Sequence, residues 1–312
     1  MNGKAISAAE RSKLTRRAAM ASIAMAVALI VLKAWAAYET DSTAMLGSLA
    51  DSGLDFVASL VILLGVRIAA QPADYEHRFG HGKAEALASL VQVILITFSA
   101  IFIGFRAIER LLSGAGTADA ELGIGVSIIA IVLTFCLISY QRHVIQRTGS
   151  LAIGTDRLHY SSDILLNGSV IVALGLDQYA GLTGADAIFG LLIALWLLFG
   201  AWRSSSDALN QLMDREWPDD LRERFLAAAK DYPELAGLHD LRTRSSGTHY
   251  FAQFHVWVPA EWTVQEAHDR LDAVEEALQK RFPGTEILIH VDPEGQTDRE
   301  TMLPQEITER AT

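Results

Sequence analysis

Long apolar stretches separated by short polar connections fill the first two thirds of the chain. Six of them reach about 20 residues, the length that a helix needs to cross the roughly 30 Å hydrocarbon layer of a membrane. They cover residues 18–38, 44–70, 84–111, 122–140, 158–176 and 185–202, of which the fifth is the least apolar. The first stretch exceeds the about 7 to 15 apolar residues of a secretory signal. The pattern predicts a membrane α-helical bundle with six transmembrane helices.

From Pro218 onward the periodicity becomes that of a small soluble α+β domain. Its second helix opens with Thr263 and Glu266, which have the spacing of a capping box. The predicted order is αββαβ: a helix at 219–232, a hairpin of strands at 238–244 and 250–258, a helix at 263–281 and a strand at 286–291. The predicted segments are an N-terminal segment at 1–17, a six-helix transmembrane domain at 18–206, a soluble domain at 207–293 and a disordered polar tail at 294–312.

Composition supports this division. The chain has 312 residues, 51% of them hydrophobic, a mean hydropathy of +0.24 and a net charge of −11. Residues 1–203 carry 15 acidic and 15 basic side chains, whereas residues 204–312 carry 22 acidic and 11 basic ones. An acidic soluble domain argues against nucleic acid as a partner. The single cysteine, Cys136, excludes a disulfide framework and a thiolate metal site.

Charge in the connections predicts the orientation. One set of connections is short and acidic, and the opposite set carries most of the Lys and Arg residues, so the positive-inside rule places both termini in the cytoplasm. Arg106 and Arg110, near the outer end of the third helix, are exceptions that can snorkel to the membrane surface. We expect a multi-pass membrane protein.

Four ligand-type side chains lie within two of the apolar segments. Asp51 and Asp55 are spaced i, i+4 and share a helix face, and His159 and Asp163 repeat this spacing in the fifth segment. Each carboxylate costs about 2.5 to 3.5 kcal/mol in a bilayer centre, and a shared divalent cation would offset that cost. Nitrogen and oxygen ligands favour tetrahedral Zn²⁺, Cd²⁺ or Fe²⁺ over Mg²⁺ or Ca²⁺.

The alternative is that these carboxylates snorkel or pair with a lysine. Lys33 is the competing cation, although in the outer half of the first helix it is expected to reach water. Ser52 and Gly53, between the two aspartates, are small enough for a neighbouring helix to approach there. Because binding requires a neutral His159 and ionised carboxylates, loading the site expels protons. The same four residues, Asp51, Asp55, His159 and Asp163, are therefore the predicted proton-coupling groups.

Several motifs together resemble the cation diffusion facilitator family, in its bacterial zinc and ferrous-iron efflux branch. They are "SLADSGLDF" from Ser48, "HRFGHGKAEALASL" from His77, "HYSSD" from His159 and "HDLRTR" from His239. The resemblance implies a homodimeric antiporter of the bacterial inner membrane, joined through its C-terminal domains and membrane helices, that exchanges zinc for protons. It also implies a ferredoxin-like fold for the cytoplasmic αββαβ domain, with zinc both as substrate and as a bound ion there. No organic cofactor is expected.

Two further clusters of ligand-type residues lie outside the membrane. Asp74, His77 and His81 fall in one cytoplasmic loop, which without the resemblance could equally be a solvated loop among lipid headgroups; the resemblance implies a second zinc site there. It also implies a binuclear zinc site in the C-terminal domain, formed by His239, His255, His268, His290 and Asp292. His143 and His249 are left outside these sites.

Lys83 and Asp214 both fall at the predicted cytoplasmic membrane surface. The resemblance implies a charge interlock between them at the dimer, whereas the residues alone suggest two solvated charges.

Two other functions remain open from the residues. A membrane-anchored metal sensor or scaffold would explain the C-terminal histidines but not the intramembrane ligands. A membrane metallohydrolase would need a nucleophile or general base beside the ligands, and no HExxH or similar motif supplies one.

Overall fold

The computed structural model describes residues 8–40, 43–113, 121–180, 184–247 and 249–294, which form two compact units. The first unit runs from Glu10 to Leu209, and the second begins at Asn210. The predicted polar tail falls almost entirely outside the described residues.

Six long helices build the first unit. They are α1 (Ala8–Thr40), α2 (Thr43–Ala69), α3 (Ala84–Ser113), α4 (Glu121–Thr148), α5 (Leu151–Ala180) and α6 (Ala185–Leu212). Each contains one of the predicted apolar stretches, but α1 and α4 continue well into polar sequence. Hydropathy marks the stretch that tolerates lipid and carries no signal for where the helical backbone ends. Both helices therefore exceed their predictions, and so do α5 and α6.

Five of these helices, all except α5, are long and apolar enough to cross a membrane, within the described part of the chain. The chain is thus a multi-pass membrane protein. The helix α5 is less apolar because it carries Asp156, Arg157, His159 and Asp163 along two of its turns. The sixth span stays a prediction.

The helix α5 lies inside the bundle and packs against α2, α3 and α4. A close approach between α2 and α3 occurs at Gly65, where an added Cβ would lie 2.3 Å from the Cβ of Ala88. Nothing in the described structure lies within 4 Å of a Cβ added at Gly53. The suggestion that Gly53 admits a neighbouring helix is therefore not supported, and Gly65 is a small residue that does so.

The second unit contains α7 (Asp219–Ala229), β1 (His239–Ser246), β2 (His249–Val258), α8 (Val264–Arg281) and β3 (Thr285–Pro293). This is the predicted αββαβ order, with bounds that differ by one to three residues from most of the predictions. The central strand β2 pairs antiparallel with β1 and parallel with β3. The result is a small mixed sheet, and its ferredoxin-like class stays a prediction.

A single apolar core joins the helices of this unit to the sheet. Phe225 of α7, Phe254 of β2 and Leu278 of α8 are almost fully buried in it. The predicted capping box is confirmed, because the Thr263 hydroxyl accepts from the Glu266 amide while the Glu266 carboxylate accepts from the Thr263 amide. These contacts fix the strands that carry the histidines of the second unit.

Candidate metal centres

The intramembrane ligands on α2 and α5 come together. Asp55, His159 and Asp163 each offer a ligand atom within 4.8 Å of the others. The imidazole Nε2 of His159 lies 2.9 Å from Oδ1 of Asp55, and both side chains are only 14% exposed. Asp51, one turn earlier on α2, lines the same cavity but lies outside this tight group. The packing of α2 against α5, together with the i, i+4 spacing on each helix, thus places three of the four predicted ligands around one point.

Hydrogen bonds from the described residues do not fully satisfy the carboxylate of Asp163. Its Oδ2 is buried and has no hydrogen-bond partner in the described part of the chain. A buried carboxylate oxygen without a partner is costly in a protein interior and more so in a membrane. A metal ion or a proton would satisfy it, so the donor set fits a divalent cation.

A cavity of about 700 Å³ opens from this cluster. Its lining includes Arg106, Arg110 and Asp186, at the ends of α3 and α6 that the charge pattern predicts to face outward. Arg110 forms an ion pair with Asp186, and Arg106 pairs with Glu109 at 3.0 Å. The cluster is therefore accessible from the predicted outer side.

Lys33 also lines this cavity, where its ammonium donates to Oγ of Ser52 at 2.7 Å and to the backbone oxygen of Ser48 at 3.2 Å. The sequence predicted that Lys33 reaches outside water and did not predict these two hydrogen bonds. A long side chain on α1 can reach α2 only in the folded bundle, so its sequence position gave no sign of the contact.

A buried polar network lies one turn from the cluster on α5, and sequence reasoning missed it. The Asp156 carboxylate accepts from the Ser22 hydroxyl at 2.5 Å and from the Gln141 amide at 2.8 Å. The Tyr160 hydroxyl donates to the Ser22 backbone oxygen at 3.0 Å and lies 2.9 Å from Oγ of Ser59. These bonds join α1, α2, α4 and α5, and Asp156 and Tyr160 are fully buried. The position of Asp156, i−3 from His159, was the available signal.

The loop between α2 and α3 brings its three predicted ligands together. Asp74 Oδ2 lies 3.4 Å from His81 Nε2, and Asp74 Oδ1 lies 3.5 Å from His77 Nδ1. Gly80 has a φ of 74°, a conformation that favours glycine, at the turn between the two histidines. Backbone hydrogen bonds, chiefly from His77, lower the pKa of Asp74. The carboxylate is therefore held ionised, as a metal ligand must be.

A carbonyl oxygen orients one imidazole in each of the two extramembrane clusters. Nδ1 of His81 lies 3.2 Å from the Pro72 oxygen, and Nδ1 of His239 lies 2.8 Å from the Gly237 oxygen. Because a carbonyl can only accept, Nδ1 carries a hydrogen, and Nε2 is the nitrogen left to bind a metal ion. In both cases Nε2 faces an aspartate of the cluster. This arrangement is typical of imidazoles that bind metals.

The cytoplasmic sheet gathers most of its predicted ligands around Asp292. Its Oδ2 lies 2.9 Å from His255 Nδ1 and 3.3 Å from His239 Nε2, and its Oδ1 lies 3.5 Å from His290 Nε2. Strand register explains this, since His255 on the central strand is paired with His239 on one side and His290 on the other. The sheet therefore aligns three imidazoles in one row.

Two residues alter the predicted cytoplasmic set. Asp240, which sequence reasoning missed, lies 3.8 Å from His255 through Oδ2 and has a φ of 49° at an irregularity in β1. His268 is exposed on α8, and the described residues show no contact between its imidazole and the cluster. Its place in a binuclear site stays a prediction.

Lys83 and Asp214 belong to different compact units, so their interlock also stays a prediction. Lys83 directly precedes α3. Asp214 follows α6 with a φ of 55°, and its Oδ1 lies 3.5 Å from Nη1 of Arg244.

Comparison with known proteins agrees with this arrangement of membrane helices and a soluble domain. Residues 19–213 match the cation efflux transmembrane domain, and residues 217–294 match the cytoplasmic domain of cation efflux proteins. Cation-efflux pump FieF from Salmonella typhimurium is 43% identical over 281 residues, which cover 90% of this chain and 93% of the pump. FieF from Salmonella arizonae matches to the same extent.

Two solved structures of CzrB, one of them in its zinc form, are 38% identical to this chain. The matches cover 28% and 25% of this chain and 99% of each CzrB chain. Their TM-scores are 0.25 and 0.24. The family matches extend over both units of the chain, and the FieF pumps match it over nearly its whole length. The chain belongs to the cation efflux family of membrane transporters.

Proposed function

We propose that this protein exports zinc from the cytoplasm across the bacterial inner membrane and takes up protons in exchange. The observation that carries the proposal is the cluster of Asp55, His159 and Asp163, in which a buried carboxylate oxygen lacks a partner. One imidazole and carboxylate oxygens suit Zn²⁺, and Fe²⁺ or Cd²⁺ are further candidates. Asp51 completes the set when the ion draws its carboxylate inward.

The contact between His159 and Asp55 supports proton exchange. A carboxylate can only accept, so the imidazole donates the Nε2 hydrogen across the 2.9 Å separation. An arriving metal ion needs the Nε2 lone pair and the carboxylate oxygen together, so it must displace that hydrogen. Metal and proton thus compete for the same atoms, which is the condition for coupled exchange.

The surroundings of the cluster support access from alternating sides. The cavity connects the cluster to the outer ends of α3 and α6. On the other side, the buried network of Asp156, Tyr160, Ser22 and Gln141 closes the bundle. We assign this arrangement to an outward-open state, in which the ion has left the cytoplasmic side and can exchange with outside water.

The remaining features extend the proposal. Helix α5 is the sixth span, its polar face being shielded by α2, α3 and α4. Both termini are cytoplasmic, and the protein works as a homodimer through its cytoplasmic domain and its membrane helices. The donors around Asp292 and Asp74 hold zinc on the cytoplasmic side. A metal sensor or scaffold would use the cluster around Asp292 but leave the intramembrane cluster without a role.

Flux into proteoliposomes tests the proposal with a panel of Zn²⁺, Fe²⁺, Cd²⁺ and Mn²⁺. We expect zinc flux in the wild type and none in Asp163→Ala. Glu109→Gln is the matched control, because it removes a carboxylate of the same bundle that is half exposed and paired with Arg106. Zinc flux in Asp163→Ala equal to that of the control would refute the site.

A further inference from the structure

Lys33 is a cationic side chain inside a cavity that we propose to carry cations. Its ammonium is fixed by Oγ of Ser52 at 2.7 Å and by the backbone oxygen of Ser48 at 3.2 Å. Ser52 is fully buried and stands between Asp51 and Asp55 in α2. The positive charge is therefore anchored on the helical turn that supplies two of the proposed ligands.

The other cations of the cavity are arranged differently. Arg110 is paired with Asp186, and Arg106 is paired with Glu109. Lys33 instead donates to a hydroxyl and a carbonyl, and no ion pair joins it to a carboxylate in the part of the chain that the structure describes. Its charge nevertheless lines the same cavity as the carboxylates of Asp51 and Asp163.

The formal charges of the site then match a divalent ion. Asp51, Asp55 and Asp163 contribute −3 when ionised, and Lys33 changes this total to −2. One divalent cation neutralises the site while His159 is uncharged. Without Lys33 the loaded site would keep a charge of −1, which a low-permittivity environment penalises and which would hold the metal more tightly.

We propose that Lys33 is a tethered cation that sets the metal affinity of the intramembrane cluster. This inference rests on the proposed transport function. In the outward-open cavity the fixed ammonium repels the bound ion and promotes its release. After the metal has left, the ammonium partly neutralises the negative charge of the three carboxylates. Lys33 does not bind the metal; it acts on the metal through the charge of the site.

Zinc flux in proteoliposomes at about pH 8, where protons compete least for carboxylates, separates affinity from turnover. Lys33→Gln removes the charge and keeps a donor for Ser52. We expect its KM to fall about tenfold, which corresponds to about 1.4 kcal/mol, and its maximal rate to fall because release slows. Lys33→Arg keeps the charge and should restore a KM within about twofold of the wild type.

Arg106→Gln is the matched control, since it removes a positive charge from the same cavity but away from α2. We expect its KM to change by less than about twofold, because an exposed, paired charge is strongly screened. If Lys33→Gln fails to fold, Ser52→Ala provides a second variant. It keeps the ammonium but removes its closest anchor, so the charge is no longer held beside the ligands of α2, and its KM should fall by about threefold.

An unchanged or increased KM in Lys33→Gln, or in Ser52→Ala if that variant replaces it, would overturn the role of Lys33. An equal fall of KM in Arg106→Gln would also overturn it, because the effect would then be a general property of cavity charge. A wild type that moves no divalent metal would instead refute the proposed function itself.

Discussion

The packing of α2 on α3 at Gly65 yields a prediction whose magnitude follows from the structure. A Cβ at this position would lie 2.3 Å from the Cβ of Ala88 and 3.2 Å from the Ala84 oxygen. Carbon atoms pack best at about 3.5 to 4.0 Å, so Gly65→Ala must separate the two helices by more than about 1 Å. Overpacking of this kind costs about 1 to 3 kcal/mol.

Alanine recovers about 0.8 to 1.0 kcal/mol through its higher helix propensity. Subtracting this gain leaves a net destabilisation of about 0 to 2 kcal/mol for Gly65→Ala. We expect a value near the upper end of this net range, about 2 kcal/mol, because the two rigid helices resist the shift. Gly53→Ala, on the same helix, meets nothing within 4 Å in the described structure and gains only the propensity term. It should be neutral or slightly stabilising.

Thermal unfolding of the two purified variants in detergent, followed by tryptophan fluorescence at one fixed heating rate, measures the difference. The midpoint of Gly65→Ala should fall and that of Gly53→Ala should not. Zinc flux should also decrease in Gly65→Ala, because α2 carries Asp51 and Asp55 and would shift relative to α5. Equal midpoints for the two variants would refute the assigned contact with Ala88.

Three further predictions concern the metal sites and their support. His159→Asp should shift the transport preference from Zn²⁺ towards Mn²⁺, since an all-oxygen site favours the harder ion; unchanged preference in competition flux would contradict this. Tyr160→Phe removes the hydroxyl that bonds to Ser22 and Ser59. Hydrogen bonds between membrane helices contribute about 1 to 2 kcal/mol, so the free energy of unfolding should fall by that amount and the unfolding midpoint should be lower. An unchanged midpoint would argue against these bonds. Asp74→Asn should weaken the affinity of the loop for Zn²⁺. The factor should be the same at about pH 5.5 and at about pH 7, because the lowered pKa of Asp74 keeps its carboxylate ionised at both values. A smaller loss of affinity at the lower pH would contradict that ionisation.

Local spacing in the sequence was sufficient to place each pair of candidate ligands on one face of its helix. The i, i+4 pairs on α2 and α5 follow from helix geometry, and Asp55, His159 and Asp163 do converge. The Thr263 capping box was equally readable, because its pattern depends on four consecutive residues. Features of this kind need only the period of one element.

Long-range contacts were not readable in the same way. The anchoring of Lys33 by Ser52 and the network around Asp156 join helices that are distant in the chain. The proximity of Asp240 to His255 depends on an irregularity in the pairing of β1 with β2. Neither hydropathy nor residue spacing encodes these contacts, because they are set by how the elements pack.

Simultaneous recording of zinc and pH inside proteoliposomes tests the coupled exchange most directly. With an imposed pH gradient, zinc that enters the lumen of wild-type vesicles should be accompanied by protons that leave it. In Asp163→Ala both movements should stop together, because the same buried oxygen is proposed to take the metal or the proton. Zinc entry without proton exit in the wild type, or undiminished exchange in Asp163→Ala, would contradict the account.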